Sequence, residues 1–224
     1  MTSAPRWPVA IIGANWVTLR DNGIRVVDLT PTATGPLCVP AVNLDDNVDA
    51  PYLSMGSAAV QATVPVVAAV SSAGIVSYAE VVTSISAKSA PPEARANIDE
   101  FLETTTTALQ VVGGAQRGKT VMILSPADPP VPMRNTVYCL VEGDTDQRTI
   151  EGAILEMVGR VAVYAPGYRL KQGVQFEVFG PDDPLFIPET GKFVGTRVTV
   201  LLEANDDIMT SAAMATAERL IETA

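Results

Sequence analysis

The chain has 224 residues, 47% hydrophobic and 18% charged, the balance of a folded globular protein with room for one large domain or two small ones. Its net charge of −10 argues against a nucleic-acid partner, because phosphate binding needs clustered Lys and Arg. With no histidine and only Cys38 and Cys139 as cysteines, a Ser–His or Cys–His mechanism within one chain is excluded, and neither a zinc site nor a disulfide framework is expected.

No apolar run is long enough to span a membrane, and Met1 to Arg6 lacks the order of a signal peptide. A cytoplasmic protein without a membrane partner is expected.

Val9 to Ile12 is a short apolar run ending at Gly13-Ala14-Asn15, which reads as a buried strand and a tight turn. Ile24 to Leu29 is a second strand. Thr30 to Pro51 holds four prolines and a polar segment, and reads as a long ordered connection with one helical turn. Gln61 to Ala73, rich in Ala and Val, predicts a helix. Val76 to Lys88 predicts a strand. Arg95 to Val112 predicts an amphipathic helix on the spacing of Ile98, Phe101, Leu102, Leu109 and Val112, stopped by Gly113-Gly114.

Thr120 to Leu124 and Thr136 to Val141 read as strands around a proline-rich loop, Ser125 to Met133. A helix over Thr149 to Val161, strands over Gln175 to Phe179 and Val194 to Leu202, and a helix over Asp206 to Thr223 complete the chain. This order predicts an α+β fold, a mixed sheet covered by helices on one face. It does not supply the βαβ alternation of a complete dinucleotide-binding domain.

Several segments carry a family resemblance. They are Gly23-Ile-Arg-Val-Val-Asp-Leu-Thr-Pro31, Arg95-Ala-Asn-Ile-Asp-Glu-Phe101, Gly113-Gly-Ala-Gln-Arg-Gly-Lys119, Pro126-Ala-Asp-Pro-Pro130, Pro166-Gly-Tyr-Arg-Leu170 and Asp207-Ile-Met-Thr210. Together, in this order, they resemble the acylating acetaldehyde dehydrogenases that work beside 4-hydroxy-2-oxovalerate aldolases. The resemblance implies residues 1–30 as a remnant of a nucleotide-binding (Rossmann) domain and 31–204 as an acyl and dimerisation domain of α+β type. Residues 205–224 would be a C-terminal helix, all in one compact unit.

Such a family works with a cysteine nucleophile, bound NAD and CoA, and this sequence departs from it on the first two. Gly13-Ala14-Asn15 lacks G-x-G-x-x-G spacing, and the chain then runs almost directly into the segment that matches the far end of the nucleotide domain. Aligning Gln61-Ala62-Thr63 with the family's Cys-Gly-Gly-Gln-Ala-Thr turn puts Ala58 at the cysteine position, and a methyl group forms no thioester. Ser57 has no histidine to activate it. The family's Tyr- and Pro-rich loop before the last helix is also missing, so Glu203-Ala204 passes straight into Asn205. No cofactor and no metal are expected.

What is retained gives the candidate site. The resemblance implies Asp128 as acid or base, with Arg95 or Tyr168 binding an oxyanion. Ser57, Ala58, Gln61, Thr63, Asn97 and Asn205 would line the substrate pocket. Two functions follow. The first is a cofactor-free lyase, isomerase or cyclase acting on a small or polyketide-like carbonyl compound by proton transfer. The second is a non-catalytic partner of an aldolase. The retained Asp128 puts the enzyme first. A homodimer is expected in either case.

Overall fold

Val9–Ile11 forms β1 and Val26–Asp28 forms β2; they pair in parallel, and Tyr52–Ser54 adds β3 on the other side of β2. The computed structural model describes residues 9–11, 19, 24–30, 35–87 and 98–223. The connection before β3 holds the one helical turn that its sequence predicts. This is α1, Pro40–Asn43, where the fixed φ of Pro40 suits the first turn; a 3-10 turn follows over Asp45–Asn47. β3 itself is not legible in the sequence. Its three residues are too few to show a period, and all are buried.

The helix α2, Ala58–Ala73, is buried nearly all round, as its Ala and Val content requires of a helix without a polar face. Pro65 lies inside it and lacks the N–H that would bond the Gln61 carbonyl. β4, Val76–Ser86, follows. α3 spans Ile98–Val111, and Gly113 and Gly114 follow it, as predicted; residues 95–97 lie outside the described part. β5 (Gly118–Ser125), β6 (Met133–Glu142), helix α4 (Gln147–Tyr164), β7 (Arg169–Leu170) and β8 (Gln175–Phe179) come next. β9 (Leu185–Ile187) and β10 (Gly191–Phe193) form a hairpin in a stretch to which the sequence assigns no element. β11 (Gly195–Ala204) and helix α5 (Ile208–Glu222) end the chain.

The large sheet has the order β5-β4-β6-β11, with β7 and β8 both pairing with β11. β4 and β5 are parallel and the remaining pairs antiparallel, so the sheet is mixed. Side chains alternate along β11. Val198, Val200, Leu202 and Ala204 are buried, and they join the core built with α2 and α4. On the opposite face the hairpin covers only a small cluster of Tyr78, Leu140 and Phe193. This is an α+β fold with a mixed sheet covered by helices on one face.

The small parallel sheet extends past the division at residue 30 to Ser54. Its core joins Val27, Leu53 and Met55 to Ala212, Ala213 and Leu220 of α5. The C-terminal helix therefore closes the small sheet and does not stand apart from it. No helix among the described residues is long and apolar enough to cross a membrane.

Candidate functional site

The register places one end of the molecule. β4 and β5 finish together at Ser86 and Ser125, and β6 starts at Met133 opposite Ala204, the last residue of β11. The loop that carries Asp128 and the turn Asn205–Asp207 therefore leave the sheet at the same end. Pro130, Val131, Pro132, Asn205, Asp206 and Asp207 line a surface depression of about 360 Å³ there. Asp128 lies two residues before this lining and is exposed. Asn205, also exposed, donates from Nδ2 to the Pro166 carbonyl at 2.9 Å. Gly167 makes that contact feasible. Its φ is +94°, and a Cβ there would stand 2.8 Å from Asn205 Nδ2.

The first turns of α2 are built differently. Gly56, at φ +67°, turns the chain into the helix. Ser57 caps it: its backbone is extended, and its Oγ accepts from Val60 N at 3.2 Å and lies 3.1 Å from Thr105 Oγ1. Ala58 holds the first helical position and is half-buried. Gln61 is fully buried and donates from Nε2 to the carbonyls of Cys38 at 2.8 Å and Met55 at 2.7 Å. Thr63 Oγ1 donates to Ala59 O at 2.7 Å. The hydroxyl of Tyr168 donates to Ala62 O at 2.7 Å, and burial pushes its pKa up.

These contacts bear on the expected roles. The polar groups of Ser57, Gln61 and Tyr168 hold α2 to the chain around it, and Thr63 bonds back within the helix. Tyr168, proposed from the sequence to bind an oxyanion, is a buried tie between the turn after α4 and α2. Asn205 lines the open depression, and Asp128 lies two residues before its lining in sequence. Arg95 and Asn97 lie outside the described residues. Cys38 and Cys139 are both buried, and burial pushes each thiol up to about 12, so neither is a ready nucleophile. Among the described residues, no three Cys, Asp or Glu side chains gather into a metal-holding group.

Two polar constellations escape the sequence reading. Asp28 ends β2, in the segment that resembles the far end of the family's nucleotide domain. Here it is buried. Its Oδ1 accepts from Thr30 N at 2.8 Å, and its Oδ2 accepts from Thr30 Oγ1 at 2.8 Å and from the Tyr52 hydroxyl. With three strands in the small sheet, the described residues do not build the six-strand sheet of a complete dinucleotide-binding domain. The second constellation is Glu203, buried on β11 yet on the face away from the helices. It accepts from Lys171 Nζ at 2.5 Å, Arg169 Nη2 at 2.8 Å and Arg134 Nε at 3.4 Å. Hydrogen bonds from Lys171, then Arg169, hold its carboxyl down at about 2. A lone Glu within Val-Thr-Val-Leu-Leu-Glu-Ala was the available signal.

Residues 58–209 match the family model described as prokaryotic acetaldehyde dehydrogenase, dimerisation. The chain belongs to the prokaryotic acetaldehyde dehydrogenase family. It is 57% identical to the probable inactive acetaldehyde dehydrogenase 1 of Mycolicibacterium vanbaalenii, over 93% of this chain and 70% of that protein. It is 51% identical to acetaldehyde dehydrogenase 1 of Mycobacterium ulcerans, over 93% of this chain and 66% of the relative. The acetaldehyde dehydrogenase of Pseudomonas putida is 53% identical, with 89% and 68% covered. The chain thus spans about two thirds of the length of these relatives. In fold it is similar to an aspartate semialdehyde dehydrogenase II from Vibrio cholerae, with a TM-score of 0.55, 13% identity, and 92% and 72% of the chains covered.

Proposed function

We propose that this chain is a dehydrogenase-like protein without dehydrogenase activity, kept as a homodimeric partner subunit. The observation that carries the reading is Ala58. It occupies the first position of α2, where the family resemblance places the nucleophilic cysteine, and its methyl group has no nucleophilic electron pair. Two further points support it. Both cysteines are buried, and the 57%-identical relative is itself named probable inactive. The family's dimerisation domain is the part this chain keeps, which supports the homodimer. An aldolase is the partner that the resemblance implies. The test is direct. Purified protein given acetaldehyde, CoA and NAD should form no NADH, and calorimetry should detect no NAD binding. Micromolar NAD binding would overturn the reading.

A second reading is a cofactor-free enzyme that acts on a small carbonyl compound by acid–base chemistry. It is favoured by Asp128, held in a stiff Pro-Ala-Asp-Pro-Pro loop beside the depression lined by Pro130 and Asn205. In that case Asp128→Asn abolishes turnover while the fold survives. Turnover unchanged in that variant removes Asp128 as the acid or base.

A further inference from the structure

The Glu203 cluster holds more positive charge than its carboxylate needs. Arg134 on β6, Glu203 on β11 and Arg169 on β7 form one cross-strand row, since Glu203 pairs in register with both arginines. Lys171, just past β7, closes the group from the edge of the sheet. Buried neighbours of the row, Asn135, Tyr168 and Leu202, alternate with it, which sets the row on the face turned away from the helices. One cation would offset a buried carboxylate. Three are present, so with Glu203 counted the group carries 3 − 1 = +2.

In the single subunit those cations are open to solvent. The side chains of Arg134, Arg169 and Lys171 are 49%, 68% and 40% exposed, while that of Glu203 is 6% exposed. The carboxylate gathers and orients them from below, so less conformational entropy remains to be lost when a ligand arrives. Arg134 engages Glu203 only through Nε, at 3.4 Å, which leaves both of its terminal nitrogens as a donor pair. Arg169 uses Nε and Nη2, leaving Nη1. Guanidinium forks of this kind match the oxygens of a phosphate. The patch stands out in a chain of net charge −10, where diffuse electrostatics repel anions. Asp206 and Asp207, in the turn after β11, are the nearest acids in sequence and line the depression at the sheet end.

We propose that Arg134, Arg169 and Lys171, organised by Glu203, form a binding site for a phosphate dianion. The charge of +2 is matched to that ligand. Two sources share its chemistry, inorganic phosphate and the phosphate chain of a nucleotide.

The test titrates the purified 224-residue chain with inorganic phosphate and with ADP by calorimetry at constant ionic strength, with chloride as control. Arg134→Gln is the primary variant, because Glu203 keeps Arg169 and Lys171; Lys171→Gln is the second. Wild type should bind, and each variant should bind about tenfold more weakly, the effect of losing one charge-assisted contact. ADP binding more tightly than inorganic phosphate assigns the site to a nucleotide; equal affinities assign it to the free anion. The proposal is overturned if chloride gives the same response, or if both variants bind like wild type. It is also overturned if Arg134→Gln dissociates an oligomer and phosphate binds neither protein, since the cluster then belongs to an interface.

Discussion

The first turns of α2 and the Glu203 cluster lie toward the same end of one sheet, on opposite faces, and they handle polar groups in opposite ways. At α2 the donors find carbonyls inside the fold: Gln61 on Cys38 and Met55, Thr63 on Ala59, Tyr168 on Ala62. At Glu203 a buried carboxylate gathers three cations whose other donors face water. The first arrangement fixes a helix. The second leaves charge available to something outside. A polar residue thus keeps its place for either of two unlike reasons, and hydrogen-bond partners separate them better than residue type does.

The largest expected effect tests the α2 side. Gln61→Leu strips two buried carbonyls of their donor and should destabilise the protein by about 2–4 kcal/mol, measured by urea unfolding. A change below about 0.5 kcal/mol would mean that Gln61 is not structural, and the contrast with Glu203 would fail.

Next is Glu203→Gln, which leaves three cations around a neutral amide. A loss on the order of 2 kcal/mol at neutral pH is expected. The pH dependence gives a sharper signature. The folded-state pKa is lowered from 4.5 to about 2, chiefly by the Lys171 hydrogen bond and then by Arg169. A depressed carboxylate pKa stabilises the folded form fully above the unfolded value and loses that contribution as pH falls through the folded one. Wild-type stability should therefore fall between about pH 4.5 and 2, and Glu203→Gln should lack that share of the slope. Parallel acid titrations of the two proteins would dismiss the network.

A smaller change is expected of Tyr168→Phe. It removes one buried hydrogen bond, worth about 1 kcal/mol, from a carbonyl inside α2. Under the acid–base reading Tyr168 was an oxyanion ligand. Turnover that falls in Tyr168→Phe by far more than its stability loss explains would return it to that role.

Much of the fold was legible because periodicity is local. Arg95 to Val112 announces an apolar stripe, and α3 follows it over Ile98–Val111; the Ala and Val run after Gln61 gives the buried α2. The elements that escaped are short ones made by their partners. β3 exists because Val27 and Leu53 are packed together under α5, and β9 and β10 exist because they pair with each other over Tyr78 and Leu140. The site divided along the same line. Ala58 at a helix start could be read from adjacent residues. Glu203 could not, because its three cations come from positions 134, 169 and 171, and only the sheet register joins them. Likewise the sequence offers Tyr168 as a free hydroxyl, and only the fold shows its bond to Ala62.

The mildest substitution asks whether the start of α2 is still open to solvent. Ala58→Cys restores sulfur at the first helical position, which is half-buried and free of side-chain duties, so stability should stay within about 0.5 kcal/mol. Unpaired amides at a helix N-terminus favour the thiolate, so the introduced thiol should have a lowered pKa. Cys38 and Cys139 are the internal reference, since burial holds both at about 12. Alkylation by iodoacetamide at neutral pH should therefore mark the introduced thiol far faster than either native cysteine, while NADH production from acetaldehyde and CoA stays absent. Fast alkylation without turnover would mean that the nucleophile's position outlived the cofactor site. Equal, slow labelling of all three thiols would mean that the helix start is closed, and the two faces of the sheet would then differ in access as well as in charge.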